Sequence, residues 1–434
     1  MTSVQQFFNI RRGEGLPVFM AGLYFFLVLT ALMVLRPARD AIGMSGGLDA
    51  VRWLFIGTAL VTLAVNPAFG WLVSRFRRLV FITATYAFFA LSLVGFYALI
   101  VLAPEAVGEV SGRVFYVWFS VFNLFSTMVF WALMADRFSL EQSKRVFGVV
   151  AVGGTLGAIF GPWLASQLAR PLGTPALMLV AAVFLGLAVA AAWGVARLQP
   201  EVRSGQGDAS ERAIIGGNAW SGISAVFRSP YLLGVSSYVL VMTIIATFIY
   251  FTRLQMVAAA ADDTDTRTTI FAQIDLITQV STLVLQAIVT GHLMRRLGVA
   301  VALAILPVVV SLGFIGLAAA GSFAMLILFD ATFRAIQRAV TRPARETLFT
   351  VVSREEKYKS KAFTDTFVYR GGDVIGAWTE GLLGRLGFAL VGLASVAVPL
   401  AVVWAVLGLW LGRQQRQRAG EPGGRDATIA SGRA

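Results

Sequence analysis

The sequence predicts an all-α polytopic membrane protein with about twelve transmembrane helices, arranged as two pseudo-symmetric six-helix halves. Hydrophobic residues make up 57% of the 434 residues and charged residues only 14%, whereas soluble domains carry about 25% charge. The apolar residues form continuous runs near the roughly 20 residues that a spanning helix needs, instead of the alternation typical of a β-barrel. One long polar segment separates the first six runs from the last six.

Twelve apolar runs are the candidate spans, and because several contain polar residues their limits are approximate. The first run follows Arg11 and Arg12 and does not end in a small-residue cleavage pattern. We therefore expect a retained span and not a signal peptide. The predicted spans are 17–35, 51–73, 79–102, 113–135, 146–168, 174–196, 230–252, 269–290, 299–319, 323–341, 362–384 and 388–411.

The polar segment sets the predicted domain limits. The four parts are an N-terminal half (1–198), a cytoplasmic linker (199–229), a C-terminal half (230–412) and a disordered cytoplasmic tail (413–434). Within the linker, Trp220, Ile223, Val226 and Phe227 fall roughly on one face, which is typical of a helix lying on the membrane surface. A loop with scattered apolar residues is the alternative.

The distribution of charge predicts location and partners. The chain has a net charge of +13, and its Lys and Arg residues concentrate in the segments that are cytoplasmic if both termini are cytoplasmic. This positive-inside pattern predicts a multi-pass protein of a bacterial inner membrane in that orientation. Attraction to anionic lipids accounts for the excess, so lipids are expected partners and nucleic acid is not. The absence of cysteine excludes disulfides and thiol chemistry.

A short internal repeat supports the two halves. Gly-x-Leu-x-x-Arg occurs after the second predicted span, at Gly70 to Arg75, and after the eighth, at Gly291 to Arg296. The two segments resemble the Gly-x-x-x-Asp-Arg-x-Gly-Arg-Arg pattern of major facilitator transporters, with Ser74 and Arg295 in place of the aspartate. The resemblance implies two parallel six-helix halves.

Buried charges make the tenth and eleventh predicted spans unusual. Asp330, Arg334 and Arg338 are four residues apart and project from one side of a helix. A charge at the bilayer centre costs about 2.5–3.5 kcal/mol, so such residues normally face a polar cavity or a partner. The next span contains Asp365, Arg370, Asp373 and Glu380.

Two interpretations of these charges stay open. Arg334 and Arg338 could bind a carboxylate or phosphate with their planar guanidinium groups. Alternatively, the charges could pair among themselves, Asp330 with Arg334 and Arg370 with Asp373 or Asp365.

Other polar positions are candidates for the entrance and the lining of the same interior. Arg36, Arg39 and Asp40 follow the first span and suggest a charged entrance, with interfacial snorkelling as the alternative. Asp275 has no cation near it in sequence and is the first candidate for a coupling proton. The predicted cavity lining comprises Asn123, Thr127, Thr247, Gln279 and Thr282, with polar bonding between helices as the alternative for any one of them. The predicted cytoplasmic gate comprises Arg75, Asp136 and Arg137, with a solvated loop as the alternative for the charges after the fourth span. Gly153, Gly157 and Gly161 have the spacing that lets a second helix approach closely.

Several segments together resemble the nucleotide transporter (ATP:ADP antiporter) family and its bacterial relatives. They are LRPARDAIG, the block FWALMADRF to QSKRVFG to GGTLGAIFGP, and RPARETLF to EEKYKSKAFTDTFVYRGGD. The resemblance implies a facilitator-like fold and exchange of anionic nucleotides or related phosphorylated solutes. It also matches Arg39 and Asp40 to the basic-acidic pair after the family's first span, where its exchangers typically have lysine.

Enzyme chemistry has little basis in the sequence. His292 is the single histidine, and no phosphate-binding Gly-x-x-x-x-Gly-Lys-Ser/Thr loop occurs. We therefore predict no catalytic residue, metal or cofactor. The predicted function is secondary transport of an anionic small solute. The residues predicted to bind this solute are Arg36, Arg39, Arg334, Arg338 and Arg370. The residues predicted to pair with these arginines or to couple transport are Asp40, Asp275, Asp330, Asp365 and Asp373. The alternatives are a proton-coupled exporter of drugs, lipids or zwitterions, and a non-transporting scaffold or sensor; the oligomeric state is left open.

Overall fold

The computed structural model describes residue 11 and residues 13–75, 78–104, 108–199, 219–288, 290–388 and 390–420. Over these residues the chain is helical throughout, and ten helices are long and apolar enough to cross a membrane. They are α1 (Gly15–Gly43), α2 (Gly47–Arg75), α3 (Arg78–Leu102), α4 (Glu109–Arg137), α5 (Leu140–Leu172), α6 (Ala176–Leu198), α8 (Pro230–Ala260), α9 (Thr264–Ile288), α10 (Thr290–Ala320) and α15 (Leu390–Gly420), with the short α7 (Ala219–Arg228) between α6 and α8. The all-α polytopic fold class is confirmed.

The two predicted spans that carry most of the buried charge are interrupted helices. The first consists of α11 (Phe323–Ile336), a π-helical segment (Gln337–Thr341) and α12 (Arg342–Leu348). After a short 3₁₀ turn, the second consists of α13 (Arg354–Phe363), another π-helical segment (Thr364–Val368) and α14 (Tyr369–Arg385). π-Helical turns are rare and occur mostly at functional sites. Neither stretch contains one uninterrupted apolar helix of spanning length, which explains why ten such helices are found where twelve spans are predicted.

By packing, the chain divides into two units. The first comprises Met1–Ser210 with Val257–Gln279, and the second comprises Glu211–Met256 with Val280–Ala434. Most of α9 therefore packs with the first unit although it lies in the second half of the sequence. The predicted domain limits instead place all of α9 in the C-terminal half.

In the first unit, glycines bring α1 and α5 into close contact. A Cβ atom built at Gly157 would lie 2.3 Å from the carbonyl oxygen of Phe26, and one at Gly161 would lie 2.9 Å from that of Thr30. Real Cβ atoms do not approach so closely, so these positions require glycine. The close helix contact predicted from the glycine spacing is confirmed, and α1 is the partner.

In the second unit, α8 and α14 pack in the same manner. A Cβ atom at Gly372 would lie 3.1 Å from the carbonyl oxygen of Leu240, and one at Gly376 would lie 3.0 Å from that of Ile244. Small residues at such positions let helix backbones approach within a membrane, where van der Waals packing drives association. This contact brings the polar side chains of α8 close to the charged helix α14.

The linker and the tail differ in part from expectation. Helix α7 is present and packs against α13, with Val226 buried and Phe227 67% exposed, so these two neighbours do not share one buried face. The side chain of Trp220 lies outside the described residues. Helix α15 continues to Gly420, so the first part of the tail predicted to be disordered is helical; residues 421–434 lie outside the described part.

Candidate solute-binding site

Helix α8 carries an arginine that the sequence interpretation missed. Arg253 is fully buried, and its Nη1 lies 3.8 Å from Oδ2 of Asp330. Its guanidinium carbon lies 5.2 Å from the centroid of the Tyr250 ring. The seventh span was predicted to end at residue 252, but α8 continues to Ala260. Asp330 on α11 gives the arginine a buried counter-charge.

Asp330 is also held by Arg334, one turn further along α11. Arg334 donates from Nε to Oδ1 at 2.9 Å, and its Nη2 lies 2.8 Å from Oδ2. This is the two-point geometry that a guanidinium makes with a carboxylate. The predicted pairing of Asp330 with Arg334 is confirmed. Two buried guanidinium groups therefore converge on one carboxylate, which is 2% exposed.

Two further carboxylates on α14 meet polar side chains of α8. Arg370 donates to Oδ2 of Asp373 at 3.3 Å, and the Thr247 hydroxyl donates to Oδ1 of Asp373 at 3.5 Å. The amide of Gln255 donates to Oε1 of Glu380 at 2.5 Å. Asp330, Asp373 and Glu380 thus each have a partner on α8, which is a cation for Asp330 and a neutral donor for the other two.

The segments around the two π turns carry the remaining predicted charges. Arg338 lies within the first π segment and is partly buried. Asp365 lies within the second and pairs with Arg345 at 3.6 Å. Of the two partners predicted for Arg370, the structure records Asp373 as the one in contact. Tyr369 lies within electrostatic reach of Asp373, Arg370, Arg345 and Arg338, so these groups form one neighbourhood in the second unit.

A small cavity lies beside this network in the second unit. Its volume is about 210 Å³, and Glu380 and Gln255 provide its polar groups. Leucine side chains, Phe388 and two glycines make up the rest of its wall. The hydrogen bond between Glu380 and Gln255 therefore lies at the edge of an apolar space.

In the first unit, Asp275 is paired with a cation that sequence proximity did not reveal. Nε of Arg36 lies 3.6 Å from Oδ2 of Asp275, which is 2% exposed. Gln279, one turn along α9, is buried, and its Nε2 lies 3.7 Å from the sulfur of Met33. The prediction of Asp275 as the coupling group depends on the lack of a nearby cation in sequence. In the structure, Arg36 lies near it.

Arg39 and Asp40 form a local pair at the end of α1. Arg39 donates from Nε to Oδ1 of Asp40 at 2.9 Å, and Asp40 is buried. The Arg39 guanidinium carbon also lies 4.7 Å from the centroid of Tyr116 and 5.2 Å from that of Phe119, both on α4. Arg39 is 16% exposed, so it is not a solvated interfacial arginine that merely snorkels.

The structure separates the other predicted polar residues. Thr282 is buried, whereas Asn123 is exposed and accepts a hydrogen bond at its carbonyl from the partly buried Thr127. Among the gate residues, Arg137 is buried and donates to the carbonyl oxygens of Ala196 and Gln199 at 3.4 and 3.3 Å. That contact ties the end of α4 to the end of α6. Asp136 is partly buried, and the side chain of Arg75 lies outside the described residues.

A metal centre has no support in the part of the chain that is described. Within it, no three His, Asp or Glu side chains are grouped so that they could hold an ion. The described residues group buried arginines with carboxylates.

Comparison with known proteins assigns this helical arrangement to a family. The Major Facilitator Superfamily model matches residues 15–336. The chain belongs to the major facilitator superfamily. No curated protein matches the chain. The facilitator resemblance noted at the repeated loops is thus confirmed, while membership of the nucleotide transporter family stays a prediction.

Solved transporters share the fold of this facilitator. A bacterial homologue of the human lysosomal transporter Spinster matches with a TM-score of 0.61 at 14% identity, covering 95% of this chain and 99% of that one. The nucleoside transporter NupG matches with a TM-score of 0.58 at 13% identity, covering 93% and 99%. A bacterial homologue of the iron transporter ferroportin gives a TM-score of 0.64 at 11% identity, covering 91% and 98%. Similarity at this level concerns the fold and not the solute.

Proposed function

We propose that this facilitator is a secondary transporter that moves an anionic small solute, a nucleotide or phosphorylated metabolite, across the bacterial inner membrane by alternating access. Both termini are cytoplasmic in this proposal, as the distribution of Lys and Arg predicts. The observation that carries the proposal is the buried cluster of Arg253, Asp330 and Arg334, in which two guanidinium groups converge on one carboxylate.

Arginines on three helices of the second unit favour an anionic solute. Arg253 on α8, Arg334 on α11 and Arg370 on α14 each contact a carboxylate. A phosphate or carboxylate group of a solute can take the place of such a carboxylate.

The geometry also provides a mechanism for exchange. Asp330 occupies the fork of Arg334 as a solute oxyanion would, so a phosphate group can replace the carboxylate there. Because Asp330 also contacts Arg253 on α8, its displacement changes the contact between α11 and α8. Binding of the anion is thereby linked to a rearrangement of helices, which transport requires.

A ligand panel tests the proposed solute class. Purified protein is heated in the presence of nucleotides, phosphorylated metabolites, carboxylates and cationic drugs. A ligand that binds the folded state raises its stability, by about 2.7 kcal/mol at one hundred times its dissociation constant. We expect phosphorylated compounds to raise the melting temperature of the wild type and to have at least a tenfold lower affinity for Arg334→Gln.

Arg113→Gln is the matched control, because Arg113 pairs with Glu109 one turn away on α4 but is 49% exposed. It should respond to ligands as the wild type does. Stabilisation by cationic or lipid-like compounds alone would overturn the anion proposal in favour of an exporter.

A further inference from the structure

The two units, each taken by itself, repeat one register along their first spanning helices. The glycines of α5 meet the carbonyl groups of Phe26 and Thr30 on α1, and those of α14 meet the carbonyl groups of Leu240 and Ile244 on α8. The interval from Phe26 to Thr30 equals that from Leu240 to Ile244. The contacts of Gly161 with Met33 and of Gly376 with Thr247 preserve the same correspondence.

A pair of buried tyrosines confirms this register independently. Tyr24 precedes Phe26 by the same interval as Tyr238 precedes Leu240, and both tyrosines are fully buried. The Tyr24 hydroxyl donates to the hydroxyl of Tyr86 on α3 at 2.9 Å. The Tyr238 hydroxyl donates to the carbonyl of Leu303 on α10 at 2.8 Å. Each tyrosine therefore connects the first helix of its six-helix set to the third.

In this register Arg39 corresponds to Arg253. Each follows its glycine-facing residue by the same number of positions. Each has an aromatic ring at its guanidinium, Tyr116 at 4.7 Å for Arg39 and Tyr250 at 5.2 Å for Arg253. Each also contacts a buried carboxylate. The two units thus share an arginine held between a ring and an acid.

One partner of each arginine occupies an equivalent position, but the two residues there differ in type. Tyr116 on α4 corresponds to Asp330 on α11, because these two residues are as far apart in sequence as Arg39 and Arg253. In the first unit, this position supplies the ring and the neighbouring Asp40 supplies the acid. In the second unit, it supplies the acid, and Tyr250 on the same helix as the arginine supplies the ring.

We propose that Arg39 and Arg253 form two copies of one oxyanion subsite, one in each half, and that each binds a phosphate or carboxylate group. This inference rests on the proposed function and extends it by a second anion position. The ring orients the guanidinium plane without competing for its N–H donors, and the incoming oxyanion takes the place of the carboxylate beside it. Replacement of Asp40 breaks a contact within α1, whereas replacement of Asp330 breaks the ion pair between α8 and α11. The second subsite therefore couples anion binding to helix movement.

Equilibrium binding of radiolabelled inorganic phosphate to the purified full chain tests the inference. We expect two phosphates per chain for the wild type and one for each of Arg39→Lys and Arg253→Lys, because lysine keeps the charge but lacks the planar fork. Arg52→Lys is the control. Arg52 is a buried arginine of the first unit that pairs with Asp49, and its replacement should leave two bound phosphates.

The outcomes separate this inference from the proposed function. One phosphate per chain, lost in Arg334→Gln but retained in both lysine variants, would overturn the paired subsites and leave an anion transporter standing. No bound phosphate overturns the paired subsites, and if the ligand panel also lacks anionic hits, the proposed function fails as well. Competition by phosphatidylglycerol but not by soluble phosphorylated compounds would support the subsites and assign them to lipid headgroups.

A second measurement needs no variant and therefore does not depend on variant folding. Wild-type protein is treated with phenylglyoxal, which modifies arginine, with and without inorganic phosphate, and modified residues are located by mass spectrometry. We expect phosphate to slow modification of Arg39, which is 16% exposed, at least threefold, with Arg113 unaffected. Equal modification rates of Arg39 with and without phosphate would contradict the inference.

Discussion

At the scale of single residues, the structure shows that buried charges depend on partners far away in sequence. Arg253 contacts Asp330, and Arg36 contacts Asp275. Helical periodicity could identify Arg334 as the partner of Asp330, since the two lie one turn apart on the same helix. It could not identify Arg253 or Arg36, because tertiary packing of separate helices brings those pairs together. The seventh span was predicted to end at residue 252 because the hydropathy pattern does not show that Arg253 is buried against Asp330.

The pairing around Asp330 leads to a prediction about stability. Asp330→Asn leaves Arg253 and Arg334 without this carboxylate, and breaking a buried ion pair typically costs about 3–5 kcal/mol. Arg253→Met should also destabilise, while the double variant should lose about 1–3 kcal/mol less than the two single losses together, because its members act on one contact. Thermal unfolding in detergent measures the three variants. Losses that add to within about 0.5 kcal/mol would show that the two residues are not coupled.

Glu14, at the start of α1, leads to a prediction about pH. Arg145 on α5 donates to both carboxylate oxygens at 3.0 and 3.1 Å. These hydrogen bonds lower the pKa of Glu14 from 4.5 to about 2. A carboxyl group with a lowered folded-state pKa stabilises the protein above its unfolded pKa, and that stabilisation is lost as the pH falls from about 4.5 to about 2.

Glu14→Gln therefore should cost about 1–2 kcal/mol at pH 7 and show less loss of melting temperature between pH 5 and pH 2.5 than the wild type. Glu109→Gln, which removes an exposed partner of Arg113, is the control and should follow the wild type. Parallel pH profiles for Glu14→Gln and the wild type would contradict the assignment.

At the scale of elements, most spans could be predicted from composition, whereas the π segments could not. A π turn has no strong sequence pattern, and both interruptions lie in helices whose charges already weaken the hydropathy signal. The glycine contacts are a different case. The spacing of Gly153, Gly157 and Gly161 predicted a close helix neighbour, but only the structure identifies it as α1.

Two adjacent glycines on α14 offer a matched test of helix packing. A Cβ atom at Gly372 would lie 1.8 Å from the Thr243 hydroxyl oxygen on α8, whereas one at Gly371 meets nothing within 4 Å. Gly372→Ala should therefore destabilise by about 1–3 kcal/mol because α8 and α14 must separate. Gly371→Ala should be neutral or slightly stabilising, since alanine favours the helix by about 0.5–1 kcal/mol. Equal melting temperatures for the two variants would show that α8 and α14 do not pack closely.

The first unit allows the same comparison on a single helix. Gly157 meets the carbonyl of Phe26, while Gly148 on the same helix meets nothing within 4 Å. We expect Gly157→Ala to unfold at a lower temperature than Gly148→Ala. A common effect of both substitutions would point to helix propensity instead of packing.

At the scale of the whole molecule, the sequence divides into two similar halves, and the same register recurs in both. The short repeat near Gly70 and Gly291 suggested this, although its side chains lie largely outside the described residues. The stronger evidence is the correspondence of Tyr24 with Tyr238 and of Arg39 with Arg253. The sequence alone did not reveal this register, because the contacts that define it, of Gly157 with Phe26 and of Gly372 with Leu240, join separate helices. Family membership fixes the fold, and the solute has to be established by experiment.

Uptake into proteoliposomes tests the central claim most directly. Vesicles loaded with an unlabelled nucleotide or sugar phosphate are mixed with the labelled compound outside, and accumulated label is measured for the wild type, Arg334→Gln and the control Arg113→Gln. We expect accumulation with the wild type and the control, and at least a tenfold lower rate with Arg334→Gln. Equal uptake by all three proteins, or uptake of cationic compounds only, would contradict the account.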